Sequence, residues 1–408
     1  MCPASEPAFA DFGLPGAPGS EEFWAAVRTP ASVAASDSDG HSGSDDHGGW
    51  RTLFLWRQQP TSMSGTATAT AMSTATAMST PAAAPTDAGT PASPPLIDFE
   101  SWADATALRQ WGTTDCWYAE VRMPARLRVS YRFLVGGEAY ADPFNPVGAG
   151  GDRSIAATPD APAQPHWPAV GPDDILPVPR ARIRWASERL GGRRTVRVHP
   201  VGGGGPVVLL LDGDDWLYLH PAMTAFDAAF AAGEMPPVTL VFLPSKDREA
   251  EFGCRPELWE AVRDELLPLV AESGIPADPS RLVVAGQSLG GLSAMYAALE
   301  FPDLVSRVAC QSGSFWWSPE AMGLADPLGG RTGGAIAARL ASADHDLSGL
   351  RVAFDLGEHE SRMLSHCEAA EDLVRRAGAA VRVSRSASGH DRAGWRHALL
   401  RDVAWVLD

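Results

Sequence analysis

The spacing of hydrophobic and polar residues changes near Ala181. From there to the end of the chain, short apolar runs alternate with segments whose apolar residues recur every three to four positions. This alternation is typical of a mostly parallel sheet covered by helices on both faces, so residues 181–408 are predicted to form an α/β domain. The predicted strands are 207–211, 238–243, 281–285, 305–311, 350–356 and 381–384, and the predicted helices are 222–231, 256–272, 291–300, 361–376 and 393–407.

The amino-terminal half has a different pattern. Residues 50–56, 116–121 and 127–134 are strand-like, and the last two stretches alternate and are rich in aromatic and β-branched residues. We therefore predict an antiparallel sandwich within residues 1–147, followed by a proline-rich linker over 148–180. Residues 36–49 and 61–95 are low in large apolar side chains and are predicted to be disordered, because they bury too little surface to offset ordering.

Composition excludes several classes of protein. A chain of 408 residues with 45% hydrophobic content supports two domains and a sizeable core. A formal charge of -17 argues against nucleic acid or an anionic membrane surface as a partner. No apolar run approaches the roughly 18 residues of a transmembrane helix.

The remaining compositional signals concern the compartment. The first residues carry an acid rather than a basic region and no apolar stretch follows, so we expect no signal peptide and a cytoplasmic protein. The cysteines are few, odd in number and widely spaced, which matches a reducing compartment and leaves no zinc-site spacing. They are Cys2, Cys116, Cys254, Cys310 and Cys367.

The segment GQSLGG at 286–291 follows an apolar strand and precedes a helix of small residues. It has the form of a nucleophile elbow, in which a sharp strand-to-helix turn lifts Ser288 out of the sheet. Glycines two residues before and after Ser288 relieve the crowding of such a turn. We predict Ser288 as a nucleophile, with the amino-terminal amides and dipole of the following helix directed at an oxyanion.

A serine hydroxyl needs a base, and His390 is the best candidate. It follows the last predicted strand and precedes the last helix, where α/β-hydrolases carry their histidine. The orienting acid is expected after the preceding strand, where Glu358 and Glu360 lie on the loop and Asp355 lies within the strand. The pattern does not separate the two glutamates.

A serine nucleophile also needs donors for the oxyanion that forms. The amide of Leu289 is one predicted oxyanion donor, and the loop LDGDDW at 211–216 supplies a second from Gly213 or Asp214. His359, Glu360, His366 and Glu368 lack a compact ligand spacing, so we predict neither a catalytic metal nor a cofactor.

Together these segments resemble the enterochelin (ferric enterobactin) esterase family, which is similar to the esterase D group. The carboxyl-terminal motifs are LDGDDW at 211–216, REAEFGC at 248–254, GQSLGG at 286–291, QSGSFWW at 311–317 and GHD at 389–391 with WR at 395–396. The amino-terminal ones are FW at 23–24, FLWR at 54–57, SYRF at 130–133 and DPFNP at 142–146.

The resemblance implies an α/β-hydrolase domain preceded by a small immunoglobulin-like all-β sandwich. It also implies Glu360 as the triad acid, because this residue falls three positions after Gly357. The chain departs from the family pattern where Ser361 replaces a proline and Phe252 replaces a leucine.

The implied reaction is two-step hydrolysis of the trilactone of a ferric catecholate siderophore, with iron as cargo. A bulky aromatic trianion calls for aromatic walls and arginine, and the residues predicted to bind it are Trp216, Trp316, Trp317 and Arg248. At least one of the adjacent tryptophans is expected in the core, since neighbours in an extended segment point opposite ways. The alternatives are a feruloyl-type or general carboxylesterase, an acyltransferase of the same group, or a siderophore-binding protein without activity.

Overall fold

A computed structural model describes residues 9–35, 49–58, 93–168, 176–342 and 345–408. Nearly all of the two segments predicted to be disordered lies outside these ranges. The described residues form two compact units, one ending at Pro162 and the other comprising 163–168 and the residues from 176 onward. None of the helices within these ranges is both long and apolar enough to cross a membrane.

The first unit contains two antiparallel sheets and one short helix. The elements are α1 (Glu21–Ala26), β1 (Ala31–Ala34), β2 (Trp50–Arg57), β3 (Leu96–Phe99), β4 (Thr106–Ala107), β5 (Arg109–Gln110), β6 (Cys116–Met123), β7 (Arg128–Val135), β8 (Glu138–Tyr140), β9 (Gly148–Gly150) and β10 (Arg153–Ala157). One sheet has the order β1-β2-β6-β5, and the other has the order β4-β3-β7-β10-β9 with β8 paired to β7.

The two sheets share one aromatic core. Phe54 of β2 packs edge-on against Tyr131 of β7 with ring centroids 4.9 Å apart, and both side chains are fully buried. Alternation along β7 explains this arrangement, because every second residue of a strand points to the same face. The strands β9 and β10 belong to this unit, so residues 148–157 are not part of the proline-rich linker predicted over 148–180.

The second unit is built on an eight-stranded sheet. Its strands are β11 (Ala181–Ala186), β12 (Arg193–Val201), β13 (Gly205–Leu211), β14 (Val238–Leu243), β15 (Ala277–Gln287), β16 (Arg307–Gln311), β17 (Arg351–Gly357) and β18 (Ala380–Ser386). The order is β11-β12-β14-β13-β15-β16-β17-β18. β11 and β12 pair antiparallel and all strands from β14 to β18 run parallel, which confirms a mostly parallel sheet.

Helices cover both faces of this sheet. They are α2 (Ala222–Ala231), α3 (Arg248–Phe252), α4 (Pro256–Ala261), α5 (Leu267–Glu272), α6 (Leu289–Glu300), α7 (Gly334–Ser342), α8 (Met363–Arg376) and α9 (Arg392–Leu407). Helices α3 to α8 share a core with one face, and α2 and α9 share a core with the other. A π-helical turn at Val262–Leu266 lies between α4 and α5, which together occupy the span predicted as a single helix.

Candidate active site

Ser288 lies at the junction of β15 and α6, near the middle of the sheet. Its backbone has φ 55° and ψ -122°, a conformation that a residue with a side chain rarely adopts. A Cβ on Gly286 would lie 2.2 Å from the carbonyl oxygen of Gly290, so only glycine fits two residues before the serine. The crowding at Gly290 is milder, since its Cβ would lie 3.4 Å from Leu211 Cβ. The strained turn has the backbone geometry that a nucleophile elbow requires.

His390 and Glu360 meet at the carboxyl edge of the sheet. Glu360 follows β17 and His390 follows β18, and His390 Nδ1 lies 2.9 Å from Glu360 Oε2. The Glu360 side chain is 1% exposed, whereas that of His390 is 21% exposed. A histidine whose Nδ1 bonds a carboxylate presents Nε2 as the proton acceptor, which is the tautomer a general base requires.

The Ser288 hydroxyl contacts a second serine. Ser288 Oγ and Ser314 Oγ lie 3.1 Å apart, and the Ser314 N–H donates to the Ser288 carbonyl at 2.9 Å. Within the described residues, Ser288 and His390 form no hydrogen bond with each other. Catalytic hydrogen bonds are often absent or long until substrate binds, so this arrangement does not exclude a serine–histidine pair.

The structure separates the three candidate acids. Glu358 is exposed, and its backbone N–H donates to the Ser386 carbonyl. Asp355 lies inside β17, where burial and the nearby charge of Asp402 raise its pKa to about 8. Of these three residues, Glu360 is the one whose carboxylate contacts His390.

His366, one of the residues weighed as metal ligands, lies among backbone groups. His366 accepts from the Gly333 N–H at 3.3 Å and lies 3.1 Å from the Leu328 carbonyl, so both ring nitrogens have backbone partners. Over the ranges that the structure describes, no three His, Cys, Asp or Glu side chains are grouped to hold a metal ion.

The two predicted oxyanion donors are the residue after Ser288 and a residue that follows the neighbouring strand β13. Leu289 is the first residue of α6, so its N–H has no acceptor within the helix. Gly213 follows Asp212, which has φ 52°, at the end of the neighbouring strand β13. A Cβ on Gly213 would lie 2.4 Å from the backbone of Phe242 and Leu243, so this close approach also requires glycine.

The predicted aromatic wall is partly wrong. Trp216 is fully buried, and its Nε1 donates to Gln287 Oε1 at 2.7 Å, so it is a core residue beneath the elbow. Trp317 is 9% exposed and packs with α3 to α8, whereas the adjacent Trp316 is only half-buried. Trp316 lies in the turn that the Trp317 N–H closes on the Ser314 carbonyl at 2.9 Å, and it packs against the same core while part of its side chain stays exposed.

Arg248 binds protein groups of the site. Its Nε lies 2.9 Å from Asp212 Oδ1 and its Nη2 lies 3.0 Å from Asp212 Oδ2, while Nη2 also donates to the Gln287 carbonyl at 3.0 Å. The arginine thus joins the loop after β13 to the residue that precedes Ser288. Its side chain remains 35% exposed.

Sequence reasoning missed a buried polar chain behind the elbow. Gln287 Nε2 donates to Gln311 Oε1 at 3.0 Å, and Gln311 Nε2 donates to the Trp395 carbonyl at 2.6 Å. The signal was available in QSGS at 311–314, because polar residues that end a buried strand beside the elbow need buried partners. Ser312 in this motif has φ 46° and contacts Glu360.

A central parallel sheet with a nucleophile elbow and an acid–histidine pair at its carboxyl edge defines the α/β-hydrolase class. The family model described as "Putative esterase" matches residues 187–406. Iron(III) enterobactin esterases from Dickeya dadantii and Escherichia coli K12 are 34% and 32% identical to this chain. The matches cover 66% and 68% of this chain and 65% and 69% of those proteins, so the chain spans about two thirds of its curated relatives.

A solved structure matches over a longer range. The enterobactin esterase of Shigella flexneri, crystallised in the presence of 2,3-dihydroxy-N-benzoyl-glycine, has a TM-score of 0.73 at 25% identity. The match covers 95% of this chain and 98% of that one. The chain belongs to the iron(III) enterobactin esterase family, and the predicted resemblance is confirmed.

Proposed function

We propose that this protein is a serine esterase that hydrolyses the trilactone backbone of a ferric catecholate siderophore of the enterobactin type. The observation that carries the proposal is the 2.9 Å contact between His390 and Glu360 in a chain of this family whose serine occupies a strained elbow. Opening the trilactone weakens the hold of the chelator on iron, which is part of the substrate and not a cofactor.

In the first half of the reaction, His390 Nε2 removes the proton of Ser288 Oγ, which attacks a lactone carbonyl carbon. The tetrahedral intermediate collapses when the ester C–O bond breaks, and His390 returns the proton to the departing alkoxide. Water, deprotonated by His390, then attacks the acyl-enzyme and releases the carboxylic acid with the Ser288 hydroxyl. Glu360 orients the imidazole and stabilises its protonated form.

The Leu289 and Gly213 amides are proposed as oxyanion donors, since both lie at the carboxyl edge of the sheet beside Ser288. Trp316 is proposed as an aromatic contact for a catechol ring, because its side chain is half-buried rather than enclosed. Arg248 is proposed to hold the oxyanion loop and to offer its remaining exposed surface to the anionic substrate.

We also infer that the chain has two domains, an amino-terminal sandwich of the immunoglobulin-like kind and an α/β-hydrolase domain from residue 181. Pairing of β10 with β7 supports extending the first domain beyond residue 147. A cytoplasmic location is supported by the cysteines that the structure describes, all four of which are free.

The test is to incubate the protein with ferric enterobactin, with iron-free enterobactin, and separately with a feruloyl and a short-chain aryl ester, and to follow products by chromatography. We expect trilactone cleavage by the wild type and none by Ser288→Ala, which should still bind the ferric siderophore. Turnover of simple esters without trilactone cleavage would contradict the proposed substrate.

A further inference from the structure

Ser312 occupies an unusual position directly beneath the acid–histidine pair. It follows β16 with φ 46°, its side chain is fully buried, and its N–H donates to the Asp355 carbonyl at 2.8 Å. A serine in the left-handed region costs conformational free energy, so its surroundings must hold it there. Those surroundings are the carboxylate of Glu360 and the indole of Trp395.

Chemistry sets the direction of both hydrogen bonds. The indole N–H of Trp395 can only donate, and it lies 2.7 Å from Ser312 Oγ. The Ser312 oxygen therefore accepts from the tryptophan, and its own proton points to Glu360 Oε1, since a carboxylate only accepts. The hydroxyl has one orientation that satisfies both neighbours.

This orientation leaves one carboxylate oxygen for the histidine. Glu360 Oε1 accepts from Ser312 and from the Gly357 N–H at 2.8 Å, whereas Oε2 faces His390 Nδ1. The Trp395 ring also packs edge-on against the imidazole, with ring centroids 5.0 Å apart. The same indole thus contacts the histidine and, through Ser312, restrains the acid.

We propose that Ser312 and Trp395 form a positioning pair that holds Glu360 in the rotamer needed to fix the tautomer and orientation of His390. The inference rests on the proposed function, because it assigns these residues to the triad of that reaction. Neither residue touches the reacting atoms, and both act through Glu360 and His390. A displaced acid loosens the imidazole, and a misplacement of about 1 Å in a catalytic group can cost about 100-fold in rate.

The chain offers a matched control. Ser293 on α6 is also fully buried and also accepts an indole N–H, from Trp259 Nε1 at 3.2 Å, but it has no contact with Glu360. Replacing either serine with alanine deprives one buried indole of its acceptor. The two variants therefore share a stability cost and differ in their link to the acid.

The experiment measures kcat and KM on an aryl ester for Ser312→Ala, Trp395→Phe, Ser293→Ala and Trp259→Phe. We expect kcat to fall about 10- to 100-fold in Ser312→Ala with KM within about twofold, and less in Trp395→Phe, with the two control variants near wild type. Ser312→Gly relieves the backbone strain while removing the hydroxyl, so it reports on the hydroxyl if the alanine variant folds poorly.

Two further readouts distinguish positioning from a loss of stability. Since Ser312 acts through Glu360, its removal should cost little more in a Glu360→Ala background. We expect a low-field NMR resonance for the His390 Nδ1–H of the wild type, since this nitrogen lies 2.9 Å from Glu360 Oε2, and the resonance should shift or broaden in Ser312→Ala and persist in Ser293→Ala.

Additive losses in the double variant, or a kcat loss in Ser312→Ala no larger than in Ser293→Ala, would overturn the proposal. Failure of the wild type to open the trilactone would overturn only the proposed substrate. The NMR comparison does not depend on turnover and decides the positioning role even then.

Discussion

Two buried carboxyl groups five positions apart, Glu360 at the carboxyl edge of the sheet and Asp355 in its interior, have opposite surroundings. Both oxygens of Glu360 have partners, namely Ser312 and the Gly357 N–H on one and His390 on the other. Asp355 has the Ser384 hydroxyl on one oxygen at 2.9 Å, and its Oδ2 is buried without a partner. Asp402 of α9 likewise has a buried Oδ2 without a partner.

The comparison teaches that burial alone does not make an orienting acid. Desolvation and the like charge of Asp402 raise the pKa of Asp355, which favours an uncharged carboxyl in the interior. Glu360 at the edge instead has a hydrogen-bond partner on each of its two oxygens. The edge is where the loops after the strands turn back, so backbone N–H groups and hydroxyls reach the acid that lies beside the histidine.

The largest expected effect tests whether Ser288, at the carboxyl edge of the sheet, is the nucleophile. Ser288→Ala should lower kcat by about 10⁴- to 10⁶-fold, because the nucleophile is lost and only transition-state binding remains. Steady-state hydrolysis of the siderophore measures the loss, and circular dichroism checks the fold. Residual activity within about tenfold of wild type would remove Ser288 from the nucleophile role.

The second prediction compares the two carboxyls directly. Glu360→Gln should lower kcat by about 10²- to 10⁴-fold, because an amide that donates to the imidazole favours the wrong tautomer. Asp355→Asn should leave kcat within about threefold, since its side chain contacts Ser384 rather than His390. Equal losses of kcat in the two variants would show that the carboxyl at the edge and the carboxyl in the interior do not differ in their importance for catalysis.

The third prediction uses the pH dependence of stability to examine two interior aspartates, Asp355 and Asp402. The pKa of Asp355 is raised from 3.8 to about 8 and that of Asp402 to about 6, so the folded protein holds protons that the unfolded chain releases. Their contribution to stability is fully present below pH 3.8 and is lost as pH rises towards 8, at up to about 1.4 kcal/mol per pH unit for each proton.

Asp355→Asn should therefore flatten the fall in the free energy of unfolding between pH 5 and 8, measured by urea titration against the wild type. The variant removes the group that must ionise in the interior. A wild-type slope retained in full by Asp355→Asn would show that the aspartate is charged throughout.

The smallest expected effects come from replacing two tryptophans, the buried Trp216 and the half-buried Trp316. Trp216→Phe leaves Gln287 Oε1 without its donor and should cost about 1 to 3 kcal/mol of stability with little change in KM. Trp316→Ala should raise KM for the siderophore several-fold and leave stability nearly unchanged, because the side chain is only half-buried. Thermal unfolding and steady-state kinetics on both variants check this, and a higher KM in Trp216→Phe alone would reverse the assignment.

Local patterns predicted most of the second unit. The limits of α2 and β14 match the predicted segments, and the elbow was recognised because the glycine at 286 has no alternative in that turn. Local patterns did not predict β9 and β10, since GAG and RSIAA are too short to show a clear period and are completed by tertiary pairing, β10 with β7 and β9 with β10.

The sequence by itself determined the α/β order, the strained serine and the histidine after the last strand, because these depend on short-range sterics and on the spacing of apolar residues. The local pattern left Glu358 and Glu360 open and the family resemblance favoured Glu360, whose contact with His390 is a feature of the tertiary structure. Only the tertiary structure decided that Trp216 is core. It also brought Ser312 between Trp395 and Glu360, residues 83 and 48 positions away. Partners so distant in sequence are selected by how the loops after β16 and β17 meet α9, and buried polar groups must find them there.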